Sequence, residues 1–261
     1  MIRRPIGRFA HSPPAARAPL PPLLPDAVYV ALIEGQSLVL DTNQVEAPDI
    51  PTVPHWVGDT GIGGPKDTEW HALNGDYPSH RAIAAGLLGS RRSVAVLALG
   101  EGGTFASQWV PGQAVYTRFV DELEIALPLL PAQFPGKLTY YFLPIRRQGQ
   151  AEARYFQQAP AQQWDENFEL FDTDLRAQIA ALTPAGLNWT VLPHIINRTN
   201  TDIASATFIA DLQVSQTAAA AIGGRKLIDT DALPYADGVH PTAAGYSALG
   251  SLEVAAALQL I

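Results

Sequence analysis

The 261-residue sequence contains no cysteine and only one methionine. The absence of cysteine excludes disulfide bonds, thiolate metal ligands and a cysteine nucleophile, and it leaves the redox compartment open. Charged residues are scarce, at 16%, whereas hydrophobic residues make up 47% of the chain. This balance is typical of a globular protein and differs from the composition of disordered chains.

Long apolar runs are missing as well. No stretch approaches the ~18 apolar residues of a membrane-spanning helix, and the N-terminus lacks the ~7–15-residue apolar segment of a signal peptide. The formal net charge is −8; because four arginines and one aspartate give the first 26 residues +3, the remainder carries −11. We therefore expect neither nucleic acid nor a membrane as a partner. Localisation and oligomeric state stay open.

Proline is concentrated at one end of the chain. Seven of the first 26 residues are prolines, with alanine and arginine between them. This composition predicts an extended arm or linker over residues 1–26. The remaining residues, 27–261, are enough for one large domain with a full core.

Short apolar runs alternate with helical patterns along this domain. Strands are predicted at 28–33, 93–99, 138–143, 189–192 and 226–228, and helices at 115–130, 167–182, 203–221 and 241–258. The alternation predicts a parallel, doubly wound α/β sheet of about five strands with helices on both faces. Residues 41–80, which are rich in Pro, Gly, Asp and Trp, are predicted to be irregular, and a connection this long is usually functional.

Polar clusters follow four of the five predicted strands. Ser37 comes after the first, Gly102-Gly103 after the second, Gln148 after the third, and Asp237 with His240 after the fifth. Open α/β sheets bind ligands at the carboxyl ends of their strands. The order of these clusters therefore predicts that they share one edge of the sheet.

The pair Asp237 and His240 has the spacing of an orienting acid and a base. In a tight turn the carboxylate reaches one imidazole nitrogen, which fixes the tautomer and leaves the other nitrogen free to take a proton. Pro241 follows at once and favours a helix start there. The alternative for an isolated pair of this spacing is a capping aspartate beside a surface histidine.

Ser37 is the candidate nucleophile, since a serine needs a base and the base needs an orienting acid. The alternative is a serine that merely caps the helix after it. The elbow G-x-S-x-G of α/β-hydrolases is absent because position 39 is Val. A glycine such as Gly103 lets a backbone N–H approach a substrate oxygen, although Gly102-Gly103 also fits an ordinary turn. Gln148 is either an oxyanion donor or a solvated loop residue.

Other patterns are weak. The segment 100–105 misses the last glycine of the dinucleotide fingerprint, and Asp229-Thr230-Asp231 fails as a calcium loop after its first positions. No metal-binding spacing is present, so we expect no cofactor and no metal; the remaining histidines are expected to be structural or exposed, namely His11, His55, His71, His80 and His194. Two triplets, at 188–190 and 197–199, match glycosylation acceptors, a pattern that arises often by chance.

The order of the polar blocks resembles that of a known family. Gly35-Gln36-Ser37, then Gly102-Gly103-Thr104 with Trp109 downstream, then Gln148-Gly149-Gln150, then Asp237-x-x-His240-Pro241 is similar to the SGNH hydrolases, over roughly residues 27–258. Within them it looks most like the sialate O-acetylesterase-like branch, carbohydrate esterase family six. The resemblance implies a flavodoxin-like, three-layer α/β/α fold and metal-independent deacetylation of sugars.

The resemblance also implies residue roles. Ser37 matches the nucleophile, His240 the base and Asp237 the orienting acid, while Ser37, Gly103 and Gln148 match the oxyanion hole. Two blocks depart from the family pattern: Gly-Gln-Ser-Asn ends here in Leu38, and Gln-Gly-Glu-Ser-Asp reads Gln-Gly-Gln-Ala-Glu over residues 148–152. An acetylated carbohydrate is the expected substrate, with substrate contacts predicted at Gln36, Trp56, Trp70 and Trp109.

The expected activity is that of a serine esterase which removes O-acetyl groups from a carbohydrate, of the sialate O-acetylesterase or acetylxylan esterase type, through an acetyl-enzyme. Two alternatives stay open. One is a short-chain lipase or thioesterase of the same superfamily. The other is a non-catalytic carbohydrate-binding or virion adhesion module.

Overall fold

A computed structural model of the chain describes residues 26–41, 47–59, 68–89, 92–154, 158–202 and 207–261. The predicted arm, apart from Asp26, lies outside the described residues. The described strands are β1 Ala27–Gly35, β2 Ile50–Asp59, β3 His71–Leu73, β4 Ser93–Gly100, β5 Thr139–Arg147, β6 Asn188–Val191, β7 Ile195–Asn197 and β8 Lys226–Ile228. The described α-helices are α1 Pro78–Leu88, α2 Ala114–Leu129, α3 Gln150–Arg154, α4 Gln158–Gln162, α5 Trp164–Ala181, α6 Ile209–Ala220 and α7 Ala243–Ala257.

The strands form one sheet in the order β3-β2-β4-β1-β5-β7-β8, and β6 also pairs with β5. All pairings are parallel except that of β2 with β3. The five predicted strands correspond to β1, β4, β5, β6 and β8. Since β6 and β7 both pair with β5 in succession, they act as one interrupted strand, and β2 with β3 extends the sheet beyond β4.

Both faces of the sheet are covered by apolar side chains, as expected of a parallel sheet. Val28, Val30 and Leu32 pack into a core with residues of α2, α5 and α6, whereas the alternating residues of β1 pack with residues of α1 and α7. Helices therefore lie on both sides, and the predicted three-layer α/β arrangement is confirmed. Among the described residues, no helix is long and apolar enough to cross a membrane.

The prediction that residues 41–80 are irregular is wrong for the part that the structure describes, because β2, β3 and the start of α1 lie there. The sequence did not indicate β2 because it contains Pro51 and Pro54, which cannot donate the hydrogen bonds of a β-ladder. Pairing of β2 with β4 begins only at His55, after both prolines, and its pairing with β3 is irregular between Ile50 and Pro54. The prolines thus lie where the inner ladder does not need their N–H groups.

Candidate active site

The carboxyl ends of three neighbouring strands lie level at the centre of the sheet. Gly35 at the end of β1 is in register with Gly100 of β4 and with Arg147 of β5. Because β4 and β5 lie on opposite sides of β1, the end of β1 is a topological switch point, where open α/β sheets bind their ligands. The loops that follow these strands start from one edge, as the sequence order predicts.

Ser37 lies on a tight turn directly after β1. Gly35 has a φ of +135°, and a Cβ there would lie 2.3 Å from the carbonyl oxygen of Arg147, so only glycine fits. The Gln36 N–H donates to the same carbonyl at 3.0 Å. A short 3-10 helix, Ser37–Leu40, follows. The strand end and the turn together fix the half-buried Ser37 at the edge of the sheet.

Asp237 and His240 are held by a second turn, at the start of α7. The carboxylate Oδ1 of Asp237 accepts the N–H groups of Val239 and His240 at 2.9 and 2.7 Å. Its Oδ2 lies 2.8 Å from His240 Nδ1. Thr242 caps α7, since its hydroxyl accepts the N–H of Gly245 at 3.1 Å. The helix thus begins two residues after the predicted Pro241.

The two turns meet, and the Ser37 hydroxyl oxygen lies 2.9 Å from His240 Nε2. A proton on Nδ1, donated to Asp237, leaves Nε2 as the acceptor that faces Ser37. Although desolvation opposes it, the hydrogen bonds from the His240 ring and from two backbone N–H groups hold the pKa of Asp237 at about 2. The acid therefore stays charged at neutral pH, in the arrangement of a nucleophile, a base and an orienting acid.

The Gly102-Gly103 loop lies beside Ser37. The N–H of Glu101 donates to Gly35 O at 2.9 Å, which ties the start of the loop to the end of β1. A Cβ on Gly102 would lie 3.7 Å from Ser37 Cβ. Gly103 is exposed, has a φ of +71° and has nothing within 4 Å of its Cβ position. The loop therefore leaves open space next to the serine for a substrate oxygen.

Gln148 and Gln36 differ from their predicted placements. Both are almost fully buried, and both donate their side-chain amide to the carbonyl oxygen of Thr104, at 2.5 and 2.7 Å respectively. The amides of Gln148 and Gln36, which were predicted to serve the oxyanion hole and the substrate, thus form internal hydrogen bonds to the loop.

The prediction that three tryptophans contact the substrate is wrong. Trp56, Trp70 and Trp109 are 0%, 8% and 0% exposed and belong to one hydrophobic core. Their indole N–H groups are satisfied internally, by Glu122, by the backbone of Ala126 and by the hydroxyl of Thr104, respectively. Their large apolar area favoured the core over the loop surface that their local sequence predicted. Trp109 supports the Gly103-Thr104 loop from beneath.

Sequence reasoning missed a buried charge cluster beneath Ser37. Arg147 is fully buried and binds both oxygens of Glu253 on α7, at 2.9 and 2.7 Å. It also donates to the carbonyl of Leu38 at 2.8 Å and to Asp41 at 3.3 Å. The cluster thus joins the serine turn to the helix that begins after His240. The only signal in the sequence was a pair of arginines at the end of a buried strand.

The remaining histidines are structural where they are buried. His80 lies between His55 Nε2, at 3.0 Å, and the carbonyl of Val39, at 2.8 Å. Burial, with a contribution from Arg147, lowers the pKa of His80 to about 3, and burial also lowers that of His55. Both rings are therefore neutral. The described residues include no group of three or more His, Asp or Glu side chains arranged to hold a metal ion.

No family model matches the chain, and no curated protein matches it. Solved structures do. A protein from Arabidopsis thaliana is 15% identical, with a TM-score of 0.63, over 88% of this chain and 98% of that one. A carbohydrate acetylesterase from Xanthomonas citri is 15% identical, with a TM-score of 0.60, over 88% of this chain and 56% of that one.

The inhibitor-bound form of an aryl esterase from M. smegmatis is also similar. It is 13% identical, with a TM-score of 0.55, over 89% of this chain and 99% of that one. At these identities the likeness concerns the fold. It agrees with the predicted three-layer α/β fold, and the structural neighbours include esterases.

Proposed function

We propose that the chain is a serine ester hydrolase that removes O-acetyl groups from a carbohydrate. The observation that carries the proposal is the line of hydrogen bonds from Ser37 through His240 to Asp237 at the switch point of the sheet, at 2.9 and 2.8 Å. A binding module has no need of a serine, a base and an orienting acid in contact with one another. The sequence blocks around these residues add the resemblance to acetylesterases.

The reaction begins at Ser37. His240 Nε2 takes the hydroxyl proton while Oγ attacks the acetyl carbonyl carbon, and Asp237 stabilises the imidazolium that forms. The tetrahedral intermediate collapses when His240 returns the proton to the sugar oxygen, and the C–O bond to the sugar breaks. Water then attacks the acetyl-enzyme with the same base, which releases acetate and restores Ser37.

Backbone N–H groups are the proposed oxyanion donors. The N–H of Ser37 begins its 3-10 helix, so it has no partner within that helix. The N–H of Gly103 belongs to the exposed glycine loop beside the serine. Because the side-chain amide of Gln148 is bound to Thr104, the proposed hole depends on these two backbone donors.

Acyl chain length tests the acetyl part of the proposal. A lipase gains about 0.8 kcal/mol for each methylene that it buries in an apolar channel, so its kcat/KM rises from acetyl to octanoyl esters. We expect the reverse with p-nitrophenyl esters: acetate best, butyrate less well, octanoate barely. Rising kcat/KM with chain length would replace the acetylesterase proposal with the lipase or thioesterase alternative.

The sugar part is tested by acetate release from acetylated sialic acid, acetylated xylan and acetylated bacterial polysaccharides, with Ser37→Ala as the blank. Turnover of one of these above p-nitrophenyl acetate supports a carbohydrate substrate. No turnover of any ester, together with retained binding of a polysaccharide, would favour the non-catalytic module.

A further inference from the structure

The hydrogen bonds beside Ser37 converge on a carboxylate that the proposed reaction does not use. Glu152 lies on α3, is fully buried, and accepts the backbone N–H of Ala106. We propose that Glu152 is a positioning residue that holds the Gly103–Ala106 segment, and with it an oxyanion donor, in place beside Ser37. The inference rests on the proposed ester hydrolysis. In the sequence, Glu152 stands where the family block Gln-Gly-Glu-Ser-Asp has its final acid.

Two side-chain amides link Glu152 to both halves of the site. Gln36 Nε2 lies 3.3 Å from one carboxylate oxygen, and Gln148 Nε2 lies 3.4 Å from the other. The same two amides donate to the carbonyl of Thr104. Gln36 immediately precedes Ser37, so the serine turn and the glycine loop are bound to one carboxylate. The peptide unit between Thr104 and Phe105 is therefore held at its carbonyl, and the segment is held again at the N–H of Ala106.

The burial of Glu152 has a cost that this arrangement explains. Burial raises the pKa of Glu152 from 4.5 to about 6, although the Ala106 N–H, Gln148 and the charge of Arg146 oppose the rise. Among the described residues, no lysine or arginine forms an ion pair with it. An ionised carboxylate can only accept hydrogen bonds, so every donor around it points its hydrogen towards the carboxylate. An apolar residue of similar size would leave those donors without an acceptor.

A purely structural role predicts a different outcome from a positioning role. Loss of a buried structural carboxylate lowers stability without a specific effect on kcat, whereas a displaced oxyanion donor lowers kcat and leaves KM nearly unchanged. A displacement of about 1 Å costs up to ~10²-fold in rate. Glu122 on α2 is the matched control, because it is equally buried and accepts the indole N–H of Trp56 in the core.

The experiment compares Glu152→Ala, Glu152→Gln and Glu122→Gln by p-nitrophenyl acetate kinetics and thermal melting. We expect Glu152→Ala to lose roughly 10- to 100-fold in kcat with KM within about twofold. Glu152→Gln should recover part of that loss, because its Oε1 still accepts the Ala106 N–H. Glu122→Gln should lower Tm and leave kcat within about twofold. If Glu152→Ala does not fold, the kcat of Glu152→Gln is compared with that of Glu122→Gln. A lower kcat in Glu152→Gln supports the proposal, and an equal kcat overturns it.

Amide hydrogen exchange gives a readout that does not depend on turnover. Exchange over residues 103–106 should rise about tenfold or more in the Glu152 variants and stay at the wild-type rate in Glu122→Gln. Unchanged kcat and unchanged exchange in this segment would overturn the proposal. If the wild type hydrolyses no ester, the proposed function fails; faster exchange at 103–106 would then still support the hold by Glu152, and unchanged exchange would overturn it.

Discussion

Asp237 and Glu152 lie at the same edge of the sheet in opposite environments. The side chain of Asp237 is 57% exposed, and three hydrogen bonds outweigh its desolvation and hold its pKa at about 2. Glu152 is fully buried, and desolvation outweighs its hydrogen bonds and raises its pKa to about 6. In the proposed reaction the exposed carboxylate orients a base that changes its charge, whereas the buried one orients neutral hydrogen-bond donors.

The same contrast between exposed and buried residues separates two layers of the site. The turns with Ser37 and with His240 are partly exposed at the surface. Beneath them, Arg147 and Glu152 tie these turns to the sheet and to α7 and α3. Changes in the upper layer should therefore remove activity and spare stability, and changes in the lower layer should affect stability or geometry.

Ser37→Ala should lower kcat by ~10³ or more with no change in Tm beyond a degree or two, because removal of the nucleophile leaves only oxyanion stabilisation and binding. The measurement is steady-state hydrolysis of p-nitrophenyl acetate with a melting curve on the same sample. Ser247→Ala, at an exposed position on α7, is the control and should match the wild type. Near-normal turnover in a clean Ser37→Ala preparation would remove Ser37 from the mechanism.

Arg147→Ala should lower the free energy of unfolding by about 3–5 kcal/mol, since it leaves the carboxylates of Glu253 and Asp41 buried without their cation. Arg198→Ala is the matched comparison: Arg198 pairs with Asp229 and Asp231 at the surface, and its loss should cost about 0–1 kcal/mol. Urea unfolding measures both. Equal losses would contradict the distinction between a buried and an exposed ion-pair cluster.

Asp237→Asn should lower kcat by ~10²-fold or more but by less than Ser37→Ala, because the turn still holds the backbone of His240 while the charge that stabilises the imidazolium is lost. KM should change little. A loss in Tm larger than that in Ser37→Ala, with kcat retained, would show that Asp237 serves the turn alone.

The pH dependence of stability should have opposite signs for the two carboxylates. The depressed pKa of Asp237 contributes stability that is present above its ordinary 3.8 and is lost as pH falls towards about 2. The raised pKa of Glu152 means that the folded state loses stability as pH rises from 4.5 through about 6, by at most about 2 kcal/mol.

These slopes are measured as differences in the free energy of unfolding, wild type minus Asp237→Asn and wild type minus Glu152→Gln. The first difference should grow with pH between about 2 and 4, and the second should fall with pH between about 4.5 and 6. Slopes of the same sign would show that Asp237 and Glu152 do not lie in opposite environments.

The sequence predicted what local patterns control. Short runs rich in apolar and aromatic residues placed β1, β4 and β5 to within a few residues, and the spacing of Asp237 and His240 predicted a turn that the structure contains. It did not predict β2, because Pro51 and Pro54 interrupt the strand pattern and their tolerance depends on where the pairing with β4 begins.

The second limit of prediction from the sequence was the direction in which a side chain points. A tryptophan in a loop-like sequence has the same local pattern whether it faces a substrate or the core, and the hydrogen-bond partners of Trp56 and Trp70 lie more than 50 residues away in sequence. The buried roles of Arg147 and Glu152 depend on contacts more than 40 residues away in sequence. The residues of the proposed catalytic site were identified from short motifs, whereas the residues that hold them in place were not.

The most direct test of the account is covalent trapping of the nucleophile. The protein is incubated with a fluorophosphonate, and the adduct is located by intact-mass measurement and peptide mapping. We expect one adduct per chain, on Ser37, and no adduct in Ser37→Ala. In His240→Ala the adduct should form at least about tenfold more slowly, because the base that activates the hydroxyl is lost. An adduct on another residue, or equal labelling of the wild type and His240→Ala, would contradict it.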